Sequence, residues 1–238
     1  MTGIPAYHGA MGQTTRIDSP DGGTDAYIAL PPGGHGPGVV ALHAWWGLNG
    51  DFRALVDRLA ADGFAVIAPD LFDGTVLDTI EDAEKFGEEL DEEHNAERLL
   101  GRASAALDHL LGLPEADGSR AAALGFSFGA VYARWLATTR DEVAAVVTYY
   151  GGTWDPPGEQ AKALWLSHWA AEDPYEDPAD ARATLDGLAD AGAVGHFYDG
   201  TKHWFAEPSR PEYVEDASEL AHRRTVEFLR ATLGESAS

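Results

Sequence analysis

Apolar residues along this chain fall into two recurring patterns that alternate with each other: short uninterrupted runs, and longer stretches with an apolar residue every three or four positions. The first pattern is that of a strand covered on both faces, and the second that of a helix with one buried stripe. Residues 24–30, TDAYIAL, alternate as an early strand, and PPGGHGPG then reads as a loop. VVALHAWWG, from Val39, is continuously apolar. Asp51 is placed to cap a helix whose Phe52, Leu55, Val56 and Leu59 share one stripe, and Gly63 stops it. Further strands are predicted at 64–68, 121–125, 143–149, 163–169 and 195–198. Helices are predicted at 95–111, 128–138, 178–191 and 212–233. The acidic segment 81–97 reads as the solvated face of a helix.

Strands alternating with helices of this length imply an α/β fold in which a mostly parallel central sheet carries helices on both faces. No internal repeat, low-complexity tract or linker divides the chain, so residues 1–238 are expected to form one domain. In such a sheet, ligands bind beyond the carboxyl ends of the strands. Candidate residues are sorted by that rule.

Gly125-Phe126-Ser127-Phe128-Gly129 joins an apolar strand to a helix, the context in which G-x-S-x-G acts as a nucleophile elbow. The serine would take a strained backbone conformation, and side chains two residues to either side would collide with the neighbouring strand and helix. Glycine stands at both places. The alternative is a tight strand-to-helix turn without chemistry.

A nucleophilic serine needs a base and a group that orients the base, in the chain order serine, acid, histidine. After Ser127 come His168, His196, His203 and His222. His196 opens a strand at the wrong end of the sheet, His222 falls within a helix, and His168 lies in an apolar strand as a satisfied core histidine. His203, in YDGTKHW, follows the last strand and is the expected base. Asp173 follows the strand before it and is the expected acid, with Glu172, Asp177 and Asp199 as competitors. The N–H groups of Trp45 and Phe128 would form an oxyanion hole, and Trp46 stands at the same rim or packs as core.

Composition narrows the partners. Asp and Glu number 40 against 16 Lys and Arg, a formal net charge of −24. That field repels nucleic acid and anionic membrane surfaces. With no cysteine and no run long enough to span a bilayer, a cytoplasmic location is the expectation; the first 20 residues show no secretory pattern. No metal or organic cofactor is expected, and the chain is expected to be a monomer or small homo-oligomer.

Several stretches together resemble the dienelactone hydrolase family, single-domain α/β-hydrolases: AYIALP, WWGLN, FAVIAPDLFDG at 64–74, LGFSFGA at the elbow, YYGG at 149–152, Glu172-Asp173, HWFA at 203–206 and RRTVEFL. The resemblance covers nearly the whole chain. It places the nucleophile on Ser127, the acid on Asp173, the histidine on His203 and the oxyanion hole on the Trp45 and Phe128 backbone. Founding members of the family have cysteine where Ser127 stands, a glutamate where Ala44 stands, and a substrate-binding arginine where Glu207 stands. These departures imply a Ser-His-Asp mechanism, through an acyl-enzyme, on small neutral esters or lactones, with part of the substrate resting on Trp45, Phe126, Trp154 or Trp204. Transfer of the acyl group to another alcohol, or a non-catalytic binding role on the same scaffold, are the alternatives.

Overall fold

In a computed structural model, which describes residues 12–90, 92–153 and 162–234, eight strands form one sheet. In chain order these are β1 (Gln13–Ile17), β2 (Thr24–Ala29), β3 (Gly36–Leu42), β4 (Ala65–Pro69), β5 (Ala116–Phe126), β6 (Val143–Tyr149), β7 (Leu164–Ala170) and β8 (Val194–Tyr198). They lie side by side as β1-β2-β4-β3-β5-β6-β7-β8. β3 through β8 run parallel, while β1 pairs antiparallel with β2, and β2 antiparallel with β4. β1 has no counterpart in the predicted elements. Its sequence, QTTRI, is an exposed edge strand with one buried residue, so hydrophobicity gives little sign of it.

The described residues form six α-helices: α1 (Gly50–Ala61), α2 (Ile80–Glu89), α3 (Glu92–Leu111), α4 (Phe128–Thr139), α5 (Pro178–Gly187) and α6 (Glu215–Leu233), the last of them following β8. Every residue of β3 is buried, yet its side chains still alternate between two cores. Val39 and Ala41 join Val56 and Leu59 of α1 and Leu229 of α6. Val40 and Leu42 join Leu107 of α3 and Leu136 of α4 on the other face. Covering both faces turns an alternating strand into the continuous apolar run seen in the sequence.

β5 begins at Ala116, ahead of the predicted 121, and the helix predicted over 178–191 ends at Gly187, followed by a separate 3-10 turn at Ala189–Ala191. Three further differences have local reasons. Asn49, not Asp51, caps α1: its Oδ1 accepts from the N–H groups of Asp51 and Phe52 at 3.0 and 3.2 Å. Asp51 stands instead in the first turn, where negative charge suits the helix dipole, and its Oδ2 accepts from the Ser209 N–H and hydroxyl. The acidic segment at 81–97 belongs to two helices, α2 and α3. Residues 212–214 precede α6 in turns, the Val214 N–H reaching the Phe205 carbonyl at 3.0 Å.

After β3 the chain crosses to β4 on one side, then returns across β3 to reach β5 on the other. The carboxyl ends of β3 and β5 therefore flank the point where the winding changes direction, the place where open α/β sheets bind ligands. Trp45 lies three residues beyond the Leu42↔Gly125 register pair on β3, and Ser127 two residues beyond it on β5.

Candidate active site

Steric contact builds the elbow between β5 and α4. A Cβ on Gly125 would stand 2.3 Å from the Gly129 carbonyl oxygen, and one on Gly129 would stand 2.4 Å from the Leu42 oxygen and 2.5 Å from that of His43. All of these are backbone atoms, so the clash cannot be relieved by turning a side chain. Between the two glycines Ser127 has φ 50° and ψ −115°. It occupies the N-cap position of α4, yet its side chain makes no capping hydrogen bond. A serine serving only the turn would spend its oxygen there.

The Ser127 Oγ instead lies 2.8 Å from His203 Nε2. His203 Nδ1 faces Asp173, at 2.9 Å from Oδ1 and 2.8 Å from Oδ2. Asp173 Oδ1 also accepts from the N–H groups of Tyr175 and Glu176, at 2.9 and 3.1 Å, so a turn of its own chain holds the carboxylate still. The side chains of His203 and Asp173 are 4% and 1% exposed, which keeps this pairing away from competing water. Three loops at the carboxyl edge, after β5, β7 and β8, thus bring together the three residues singled out from the sequence.

The competitors are occupied elsewhere. Asp177 caps α5 through the Ala179 N–H, and Glu172 and Asp199 are exposed. His168 is fully buried, with Nδ1 at 2.8 Å from the Tyr198 hydroxyl and Nε2 at 3.0 Å from Thr225 Oγ1; burial pushes its pKa well below the usual histidine value. His222 bonds Asp62. His43, on the loop beside Trp45, is held at about 4 by burial; its Nδ1 donates to the Ala44 carbonyl and its Nε2 accepts from the Leu71 N–H. It is a neutral brace for that loop.

Aromatic rings surround His203. Trp204 meets it edge-on at 5.1 Å, Tyr175 at 5.1 Å, and Tyr150 tilts against it at 5.0 Å. Trp45, half-buried, stacks on Trp204 at 6.0 Å. Tyr175 is 47% exposed and lies at the open side of this group. Tyr150 and Tyr175 were not among the sequence candidates, although Tyr150 lies within YYGG and Tyr175 stands two residues after Asp173. Among the described residues four non-glycines have positive φ, and three of them, Ser127, Tyr150 and Trp204, sit here. Such strain persists only where the surroundings over-determine the backbone.

Several expected pocket residues are placed differently. Phe126 is 3% exposed and packs into the core, stacked on Tyr149 at 4.3 Å and edge-on to Phe52, because as the last residue of β5 it faces the α1 side. Trp46 and Ala44 are fully buried; the Arg210 guanidinium lies 3.8 Å over the Trp46 ring. Glu207 is 1% exposed and accepts a 2.8 Å hydrogen bond from the Tyr150 hydroxyl, so it lines no open wall. Trp204 is 2% exposed, packed against Trp45, Trp46 and Tyr175, so it backs the aromatic group rather than lining an open wall. Trp154 lies outside the described residues.

The pattern of the dienelactone hydrolase family matches residues 24–233. A putative carboxymethylenebutenolidase of Azospirillum brasilense is 29% identical over 229 residues, covering 90% of this chain and 96% of that protein. The carboxymethylenebutenolidase of Pseudomonas putida is 26% identical, over 90% of this chain and 94% of its own. Protein usf of Aquifex pyrophilus is 30% identical over 59% of this chain, and the match spans 62% of that protein. Among solved structures, a dienelactone hydrolase-like promiscuous phosphotriesterase from metagenomic libraries superposes with a TM-score of 0.80 at 25% identity, covering 94% of this chain and all of that one. With the elbow and the parallel sheet in place, these matches establish that the chain belongs to the dienelactone hydrolase family and is an α/β-hydrolase acting on ester or lactone bonds.

Proposed function

We propose that this enzyme hydrolyses small neutral esters or lactones through Ser127, His203 and Asp173. The observation that carries the reading is the Ser127 Oγ, unused as a helix cap and 2.8 Å from a His203 whose other nitrogen is held by Asp173. His203 Nε2 takes the proton as Oγ attacks the carbonyl carbon, then returns it to the leaving alcohol. Asp173 keeps the proton of the imidazole on Nδ1 and stabilises the imidazolium. Water, deprotonated by His203, releases the acid from the acyl-enzyme.

The Phe128 N–H opens α4 and belongs to the first turn, where N–H groups have no partner within the helix. The Trp45 N–H, on the loop after β3, would complete the oxyanion hole beside it. The substrate's apolar part would rest on Trp45 and Tyr175, the accessible members of this aromatic group, with Trp204 packed behind them. Anionic substrates are disfavoured because Glu84, Glu212 and Asp173 already set a negative field at the Tyr175 hydroxyl and help raise its pKa, after burial. The nearby cation, Arg210, is engaged over Trp46 and with the Asp78 carbonyl.

A fluorophosphonate probe should label Ser127, located by mass spectrometry. Ser127→Ala should lower kcat on a nitrophenyl ester by roughly 10⁴ to 10⁶. An unlabelled Ser127 in active protein, or an alanine variant within tenfold of the parent, would overturn the assignment.

A further inference from the structure

Tyr150 ends the segment that seats the nucleophile. The carbonyl of Tyr149 accepts the Ser127 N–H at 2.9 Å, and a Cβ on Gly151 would lie 2.6 Å from the Ser127 carbonyl oxygen. Tyr150 itself is held at φ 36° with its N–H on the His168 carbonyl at 2.7 Å. From this fixed backbone its ring lies against His203, and its hydroxyl reaches 2.8 Å to Glu207 Oε1.

Glu207 belongs to the chain that carries the base. From His203 this segment runs through successive turns, Glu207 N–H to the Trp204 carbonyl and Arg210 N–H to the Glu207 carbonyl, before Val214 bonds back to Phe205. The Tyr150–Glu207 hydrogen bond is thus a strut between the backbone under Ser127 and the loop of His203.

The state of this carboxyl group follows from its surroundings. It is buried, and its Oε2 has no hydrogen-bond partner among the described residues. The charged groups around it are Asp51 from α1, Glu212 and Arg210 from the loop, with Tyr150 from the sheet side. Two carboxylates oppose ionisation, and the guanidinium that favours it is already spread over Trp46. Burial first, then Asp51 and Glu212, push its pKa up to about 8, against the lowering effect of Tyr150 and Arg210. Tyr150 is raised well above its ordinary value, by burial and then by Glu207, and does not titrate in this range.

Resting on the triad reading, we propose that Glu207 is a positioning residue: as a neutral carboxylic acid it braces Tyr150 against His203 and keeps that base in line with Ser127. When Glu207 ionises, Tyr150 is the one donor it has among the described residues, and the cost of the buried charge is relieved by moving the carboxylate toward water. That movement carries the His203 loop with it. The buried glutamate replaces the substrate contact expected at this position with an internal one.

The test is the pH dependence of kcat and KM, from pH 6 to 10, on a nitrophenyl ester, for the parent, Glu207→Ala, Glu207→Gln and Tyr150→Phe. The parent should lose kcat above about pH 8 with little change in KM. Glu207→Ala and Tyr150→Phe should lower kcat at pH 7 about tenfold or more. Glu207→Gln, which still accepts from Tyr150 and cannot ionise, should recover most of that loss and lack the alkaline fall. An alkaline fall that persists in Glu207→Gln, equal activity in the alanine and glutamine variants, or a loss confined to KM would overturn the proposal. If Glu207→Ala does not fold, Tyr150→Phe removes the same strut by deleting one hydroxyl. Labelling of Ser127 by the fluorophosphonate in the parent reports on the triad separately, so failure of the strut is distinguishable from failure of the nucleophile.

Discussion

Replacing Asp173 by asparagine separates its role in orienting His203 from its role in holding its own turn. The turn needs an acceptor for the Tyr175 and Glu176 N–H groups, both bonded to Oδ1 at 2.9 and 3.1 Å. An asparagine whose Oδ1 stays there keeps both bonds and then presents its NH₂ to His203 Nδ1. Two donors cannot face each other, so the imidazole takes the tautomer with hydrogen on Nε2, and Nε2 can no longer accept the Ser127 proton. By analogy with serine triads of other folds the expected loss in kcat is about 10⁴, or about 5.5 kcal/mol of transition-state stabilisation. Stability should hardly change. Asp173→Ala removes the acceptor as well, and two lost hydrogen bonds at about 1 kcal/mol each should lower Tm by roughly 4 to 8 °C in a chain of this size. The pair of variants is assayed by steady-state hydrolysis of a nitrophenyl ester and by thermal unfolding. An asparagine variant within tenfold of the parent kcat would refute the reasoning. So would an asparagine variant as thermolabile as the alanine one, since the turn would then not depend on Oδ1.

Two further outcomes concern stability. Gly129→Ala should destabilise by at least about 1–3 kcal/mol, measured by urea unfolding, because the new methyl meets the Leu42 and His43 carbonyl oxygens at 2.4 and 2.5 Å and neither backbone can yield. Glu207, whose carboxyl titrates near 4.5 when unfolded and near 8 when folded, binds its proton more tightly in the native state. Its contribution is therefore full below pH 4.5 and declines as pH rises through 8. The unfolding free energy of the parent minus that of Glu207→Gln should fall by a few kcal/mol across that window, and a flat difference would contradict it.

Much of the site was legible because its geometry is enforced locally. The elbow needs glycine at 125 and 129 wherever the chain makes that turn, and Asp173 and His203 are marked by lying just past strand ends. The helix cap on Asn49 was missed because Asp51 also suits a helix start, and only the backbone path decides which residue stands at the N-cap. Phe126 was misplaced for a related reason. Its position in the motif suggests the mouth, but the alternation of β5 turns its ring toward α1.

By itself the sequence determined the alternation of strands and helices, the parallel sheet, and the order of the proposed nucleophile, acid and base, because periodicity and turn chemistry act over a few residues. Tertiary structure alone decided which side chains are buried among which. Tyr150 and Glu207 are 57 residues apart, and nothing local couples them. Only when the carboxyl end of β6 and the loop after β8 pack together does the glutamate at this position become an internal one, with burial the largest influence on its charge state.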